Sequence, residues 1–250
     1  MISLKLIVIC SIFLAYFPCA AETIKLVQDP WPPITSEDIA NEALATAIVT
    51  TAFSHAGYTP IVKTIPWKRA LIEVETVKSD AIVAAYYNDD RSQIYNYSAP
   101  YLITPILFLK RKDSEISFQS LEDLRDYRIG FVRGTSYGNS FDQAEFLNKV
   151  ELNDPSTVIK MLYNKRIDVA PFTNVVGMHL INSRFPDWRN ELEYFGPPIE
   201  KLHYYVIVGK NHNKGYEILS KFNNAIAKML DSGAIEKIIK DNGLQDAFPD

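Results

Sequence analysis

Beyond Cys19 the sequence has no cysteine: both of its cysteines, Cys10 and Cys19, lie near the N-terminus. Whatever follows them is held by an ordinary apolar core, with no disulfide and no thiol chemistry. Histidine is nearly as scarce. His55, His179, His203 and His212 are scattered without metal-ligand spacing, and no His–Cys or carboxylate cluster replaces them, so neither a metal nor a cofactor is implied. No basic stripe is interleaved with aromatics, which excludes a nucleic-acid surface of the usual kind. The cluster Lys110-Arg111-Lys112 is three residues long and reads as a solvated strand exit. After the N-terminus no apolar run is long enough to make a transmembrane helix.

The N-terminus itself reads as an address. Met1 to Lys5 is a short positive region, Leu6 to Phe17 an apolar run too brief to span a bilayer, and Pro18-Cys19-Ala20-Ala21 a site suited to cleavage after Ala21. Residues 1–21 are therefore expected to be a signal peptide and the product to be exported to the periplasm. Cys19 lies in the zone of a lipidated cysteine, but Phe17-Pro18 before it departs from the small residues that lipidation prefers, so simple cleavage ranks first. With 47% hydrophobic residues, the roughly 230 remaining residues can build one large domain or two small ones. Loss of Lys5 from 26 basic residues leaves 25 against 30 acidic ones, a net charge of about −5.

The stretch around which the chain is organised is Asp80 to Tyr101, DAIVAAYYNDDRSQIYNYSAPY. Ala81 to Ala85 is a short apolar strand that breaks into a turn at Asn88-Asp89-Asp90. Arg91 lies just past the break. A guanidinium at the end of a buried strand, beside Tyr86 and Tyr87, can grip a carboxylate through its planar fork of donors; alternatively, it pairs with Asp89 or Asp90 on a solvated turn. Upstream, the strand Ile24 to Val27 runs into Gln28-Asp29-Pro30-Trp31-Pro32-Pro33, a loop stiffened by three prolines. Trp31 can cap a ligand there or simply plug the sheet edge.

Ser36 is expected to cap a helix reaching about Ala56, and a strand over Pro60 to Ile65 follows. Pro66-Trp67-Lys68-Arg69 opens a second helix. Trp67 is either an aromatic wall or packing, and Arg69 either an anion contact at a helix start or a surface charge. Strand and helix alternate as in a mostly parallel sheet. Leu102 to Leu109 leaves this unit, and a second βα series begins beyond Asp113. It runs through the strand Arg128 to Arg133, the turn Gly134-Thr135-Ser136-Tyr137-Gly138 with a helix after it, the cap Asp154-Pro155, the strand Ile167 to Pro171 and the helix Val175 to Ile181. His203 to Val208 is a returning strand, and an amphipathic helix from Tyr216 is broken at Gly233.

The order Asp-Ala-Ile, arginine, Ser-x-Pro-Tyr, together with the segments along the rest of the chain, resembles the solute-binding proteins of bacterial ABC importers, in the branch for amino acids and similar small polar solutes. The resemblance implies an α/β fold of the type II periplasmic binding protein kind: two βα lobes joined by two crossing strands with an interlobe cleft. The lobes are expected at 22–108, 109–204 and, returning to the first, 205–250. It also implies that Thr135 and Ser136 face Arg91 across the cleft and complete the shell of one anion, which favours closure. Trp31 and Asp29 match positions that in the family carry an aromatic contact and, in some members, an acidic residue for a distal cation.

One position departs from the pattern. Members that bind α-amino acids place an acidic residue shortly after the Arg166-Ile167-Asp168-like strand; here it is Thr173, which carries no charge. Asp29 or Glu73 is the alternative source of a negative charge. The expected ligand-binding set is thus Arg91, Ser136, Thr135, Trp31, Tyr86, Asp29, Trp67, Arg69 and Thr173. The expected partners are a small-molecule ligand and an inner-membrane ABC permease or a sensor receptor, with the protein a monomer. Two enzymatic alternatives stand beside a non-enzymatic binder. One is a cyclohexadienyl dehydratase-like enzyme on the same scaffold. The other is a serine hydrolase, because Gly134 to Gly138 spells G-x-S-x-G, with Ser136 as nucleophile and His179 or His203 as base.

Overall fold

The computed structural model describes residues 21–36, 43–87, 89–135 and 137–244. Residues 1–20 of the expected signal peptide, Cys19 among them, and Ser136 lie outside the described residues. The elements are β1 (Glu22–Gln28), α1 (Leu44–His55), β2 (Tyr58–Thr64), α2 (Trp67–Glu75), β3 (Ala81–Tyr86), α3 (Asp89–Ser92), β4 (Tyr95–Tyr97) and β5 (Leu102–Arg111). They continue as β6 (Ile129–Val132), α4 (Asn139–Asp142), β7 (Lys149–Leu152), α5 (Pro155–Tyr163), β8 (Val169–Thr173), α6 (Asn174–Arg184), β9 (Leu192–Gly209), α7 (Gly215–Asp231) and α8 (Ala234–Asp241). Among the described residues no helix is long and apolar enough to cross a membrane.

The strands lie in the order β2-β1-β3-β9-β5-β8-β6-β7, with β4 paired to β9. β1 pairs in parallel with β2 and β3, and β6 in parallel with β7 and β8, so each end of the sheet is a βα unit. β5 and β9 run antiparallel to one another between these ends. They are the two crossing strands of a bilobed α/β fold. The apolar cores divide the same way. Ile24, Leu26, Phe53, Val83, Val206 and Phe222 pack in the first unit, whereas Phe108, Ile129, Phe141 and Val169 pack in the second, beside a third cluster around Leu109, Ile159 and Leu162. Burial of each such side chain contributes about 1.5–3 kcal/mol, so both units own a core.

Local chemistry explains most of the boundaries. The Asp154 carboxylate accepts from the Thr157 backbone N–H at 2.9 Å and Pro155 occupies the first turn of α5. Gly233, at φ 71, separates α7 from α8 in a left-handed conformation that a side chain would disfavour. Other boundaries differ from expectation. α1 begins at Leu44, because Ala43 is extended, and not at Ser36, whose carbonyl instead accepts from Gln28 and Thr64. β9 begins at Leu192 and not at His203. Gly196-Pro197-Pro198 resembles a strand break, but the ladder absorbs it as a bulge: Ile106 faces Glu200 and Phe108 faces Phe195.

Lys110 corrects the solvated strand exit. Its ammonium is buried, donating to the carbonyls of Ser114 at 2.7 Å and Ile116 at 3.0 Å and approaching Glu193 at 3.5 Å. The helix expected after Gly138 is present but short: α4 is a single turn, with Phe141 buried in the second core. So short a helix adds little dipole to the Thr135 turn.

Candidate functional site

Where the two units meet, they enclose a cavity of about 550 Å³, within the range of small-molecule sites. Asp29, Trp31, Trp67, Tyr86 and Arg91 line it from the first unit; Gly134, Thr135 and Asn139 line it from the second. The geometry therefore brings Arg91 and Thr135 to one space.

Arg91 is aimed by two contacts. Its Nη1 donates to the Tyr86 carbonyl at 2.8 Å, and its guanidinium lies 5.0 Å from the centroid of the Trp67 ring. Trp67 thus has a definite role at the start of α2: it is a platform for the guanidinium as well as a wall of the cavity. Arg69, two residues along and so on another face of the helix, points elsewhere. Its Nε meets Glu73 at 3.1 Å with most of the side chain in water, and it is absent from the cavity wall. Glu73 is in turn occupied by Lys63 and Ser79 as well as Arg69, which removes it as a source of charge for the site.

Trp31 is held in a turn closed by its carbonyl, which accepts from the Ile34 and Thr35 N–H groups at 2.9 and 3.0 Å. Its ring stacks on Tyr204 at 5.6 Å and meets Tyr86 edge-on at 5.1 Å. Below the rings runs a chain of hydroxyls: the Tyr204 hydroxyl accepts from Tyr86 at 2.9 Å and from Thr104 at 3.3 Å. Tyr204 is fully buried, and burial pushes its phenol up to about 12. Burial likewise raises the Tyr86 phenol well above the ordinary value, so it remains a neutral hydroxyl. Thr104 and Tyr204 belong to β5 and β9, so the aromatic wall is tied to both crossing strands.

Asp29 sits in the cavity wall, and burial raises its carboxyl above the usual carboxylate value, an effect partly offset by a hydrogen bond from its own backbone. Thr173 does not line the main cavity but borders the space beside it. It caps α6, its hydroxyl accepting from the Val176 N–H at 3.4 Å. Tyr204 and Asn139 were not legible from sequence: Tyr204 acts through a contact 118 residues distant, and Asn139 belongs to a turn that resembles an ordinary helix start.

Among the described residues no group of three or more His, Cys, Asp or Glu side chains is arranged to hold a metal. The nucleophile-elbow alternative requires a strand, a turn and a full helix, whereas the helix here is one turn. The two candidate bases are dispersed, His179 on α6 and His203 opposite Ile103 on β9.

The sequence profile of the bacterial extracellular solute-binding proteins, family 3, matches residues 27–244. The chain belongs to that family. It is 23% identical over 186 residues to the L-cystine-binding protein TcyJ of Escherichia coli K12, covering 74% of this chain and 67% of that one. Its fold matches an amino acid ABC transporter substrate-binding protein, AbpA, of Streptococcus pneumoniae, solved bound to L-arginine, with a TM-score of 0.68 and 17% identity over 91% of this chain and 97% of that one. It also matches substrate-binding domain 2 of Lactococcus lactis GlnP in its open conformation, with a TM-score of 0.69 and 20% identity over 88% and 94%. The family's type II periplasmic binding protein fold and its solute-binding function are therefore those of this chain.

Proposed function

We propose that the protein traps a small polar, carboxylate-bearing solute of amino-acid type between its lobes and delivers it to an inner-membrane ABC permease. The observation that carries this reading is the convergence of Arg91 and Thr135 on one cavity from opposite units. Arg91 grips the carboxylate, Thr135 and Ser136 close its shell from the far side, and Trp31 with Tyr86 stacks on the body of the ligand. Trp67 holds the guanidinium in place, and Asp29 meets a positive group where the ligand has one. The lobes are 22–108 with 205–250, and 109–204, hinged on β5 and β9. A ligand that touches both walls favours the closed form by the contacts only that form makes.

On this reading the protein is exported by a signal peptide cleaved near Ala21, works as a monomer in the periplasm and binds without turnover. Likeness to an amino acid ABC transporter substrate-binding protein supports transfer to a permease; a role with a sensor receptor is the second reading, because a histidine kinase sensor domain shares the fold with a TM-score of 0.70 and 18% identity. A thermal-shift screen of amino acids, dicarboxylates, polyamines and peptide fragments tests the reading, because a ligand specific to the native state raises its melting temperature by mass action. Arg91→Ala is expected to weaken the best ligand by a factor on the order of 100, as for loss of one partner in a buried charge pair. Undiminished stabilisation of the variant would refute the role of Arg91.

A further inference from the structure

Beside the main cavity lies a second space of about 90 Å³. The two share Trp31, Tyr86 and Thr135 in their walls, so the smaller directly adjoins the larger. Its remaining surface comes chiefly from Ile106, Val132, Pro155, Phe172, Val176 and Leu202. The hydroxyls that border it have partners within the protein, the Thr135 and Tyr137 side chains meeting one another. Tyr86 donates to Tyr204, Tyr137 accepts from the Val132 N–H at 3.2 Å, and Thr173 accepts from Val176 at 3.4 Å. Among its described lining residues there is no charged side chain.

We infer that this side pocket takes an uncharged, apolar arm of the bound solute, so that the ligand is a carboxylate with an aliphatic branch. The inference rests on the proposed grip of Arg91 on a carboxylate. An ammonium placed in the side pocket would be stripped of water with no carboxylate of the pocket to meet it. An aliphatic group there leaves water for a dry surface, which is favourable in proportion to its area. The space, equivalent to about three water molecules by liquid volume, suits a short branched group. Asp29, on the wall of the larger cavity, is the place where a positive group on the same solute can be met.

NMR titration of the purified protein with acetate and with 3-methylbutanoate tests the inference. The two probes share the carboxylate and differ only in the aliphatic branch. 3-Methylbutanoate should bind at least about tenfold more tightly than acetate, from the burial of three further carbon atoms. Val176→Phe fills the pocket and should bring the ratio of the two affinities close to one. Thr173→Asp keeps a residue able to cap α6 but sets a carboxylate beside the pocket, and should likewise reduce the ratio, so the test survives if the phenylalanine variant misfolds. A ratio near one in the unaltered protein, or a ratio unchanged in both variants, would overturn the inference. If both probes bind equally and Arg91→Ala abolishes both, the grip of Arg91 stands and only the side-pocket assignment falls. If neither probe binds, the carboxylate reading falls and the side pocket with it.

Discussion

The wall contributed by the first unit is aromatic and charged, with Trp31, Trp67, Tyr86, Asp29 and Arg91, whereas the described residues of the second wall, Gly134, Thr135 and Asn139, are small and uncharged. The supports differ as well. Trp31 and Tyr86 are braced against Tyr204 and through it against Thr104, both on crossing strands. The second wall hangs on a turn whose glycines lie at positive φ, 73° at Gly134 and 93° at Gly138. One wall is therefore a braced aromatic platform and the other a compact turn, and on the proposed function the first sets the ligand's chemistry while the second approaches it. A division of this kind suits a hinged trap: large side chains are ordered before the ligand arrives, and closure adds backbone and hydroxyl contacts without ordering more of them.

The comparison can be broken at its strongest brace first. Tyr204→Phe removes the acceptor of both the Tyr86 and the Thr104 hydroxyls, and should lower stability by about 1–3 kcal/mol, read by urea unfolding. An unchanged midpoint would show that the platform does not depend on the hydroxyl chain. The compact turn is probed by Gly138→Ala. An added Cβ there would lie 2.7 Å from Glu200 Cγ, in a backbone conformation that L side chains rarely adopt. A loss of about 1–3 kcal/mol, or several degrees in melting temperature, is expected; a neutral substitution would mean that the turn relaxes freely.

Asp29 sharpens the contrast by its pH dependence. Burial raises its carboxyl in the folded protein, so the native state holds that proton more tightly than the unfolded chain does. Its contribution to stability is best at low pH and is lost as pH rises from the ordinary carboxylate value through the raised one. Asp29→Asn should thus be more stable than the parent at about pH 7, with the difference vanishing near pH 3, as measured by denaturant titration at each pH. Equal stability of the two at neutral pH would contradict the burial cost. The smallest effect belongs to Arg69→Ala. Its ion pair with Glu73 is largely in water, so the melting temperature should move by less than about 2 °C. Ligand affinity should not change either, and a loss of binding would return Arg69 to the site.

Much of this arrangement is written locally. The apolar run Ala81 to Ala85 with an arginine beyond it is visible because a buried strand and its exit are contiguous in sequence, and Asp154-Pro155 announces α5 because capping is a matter of neighbours. The crossing strands were legible in part. Leu102 to Leu109 is strongly apolar, but Gly196-Pro197-Pro198 conceals the first half of β9, since only the facing strand shows that the chain bulges and resumes. Lys110 reads as solvated in sequence and is buried because carbonyls four and six residues later fold back on it. Of the residues that line the cavity, Asp29, Trp31, Trp67, Tyr86, Arg91 and Thr135 could be named in advance, whereas Arg69 is turned to a surface ion pair and Thr173 caps a helix beside the smaller space. Tyr204 had no local signature. Its place under the aromatic wall exists only when β9 returns beside β3.

The central claim is that one anion is held by both walls at once, and a double-mutant cycle on Arg91→Ala and Thr135→Ala tests it most directly. Calorimetric titration of the four proteins with the solute that stabilises the parent most should show each single variant weakened. The double variant should be weakened by less than the sum, because closure on the anion needs both contacts. Full affinity in Thr135→Ala, or strict additivity of the two losses, would contradict a ligand shared between the walls.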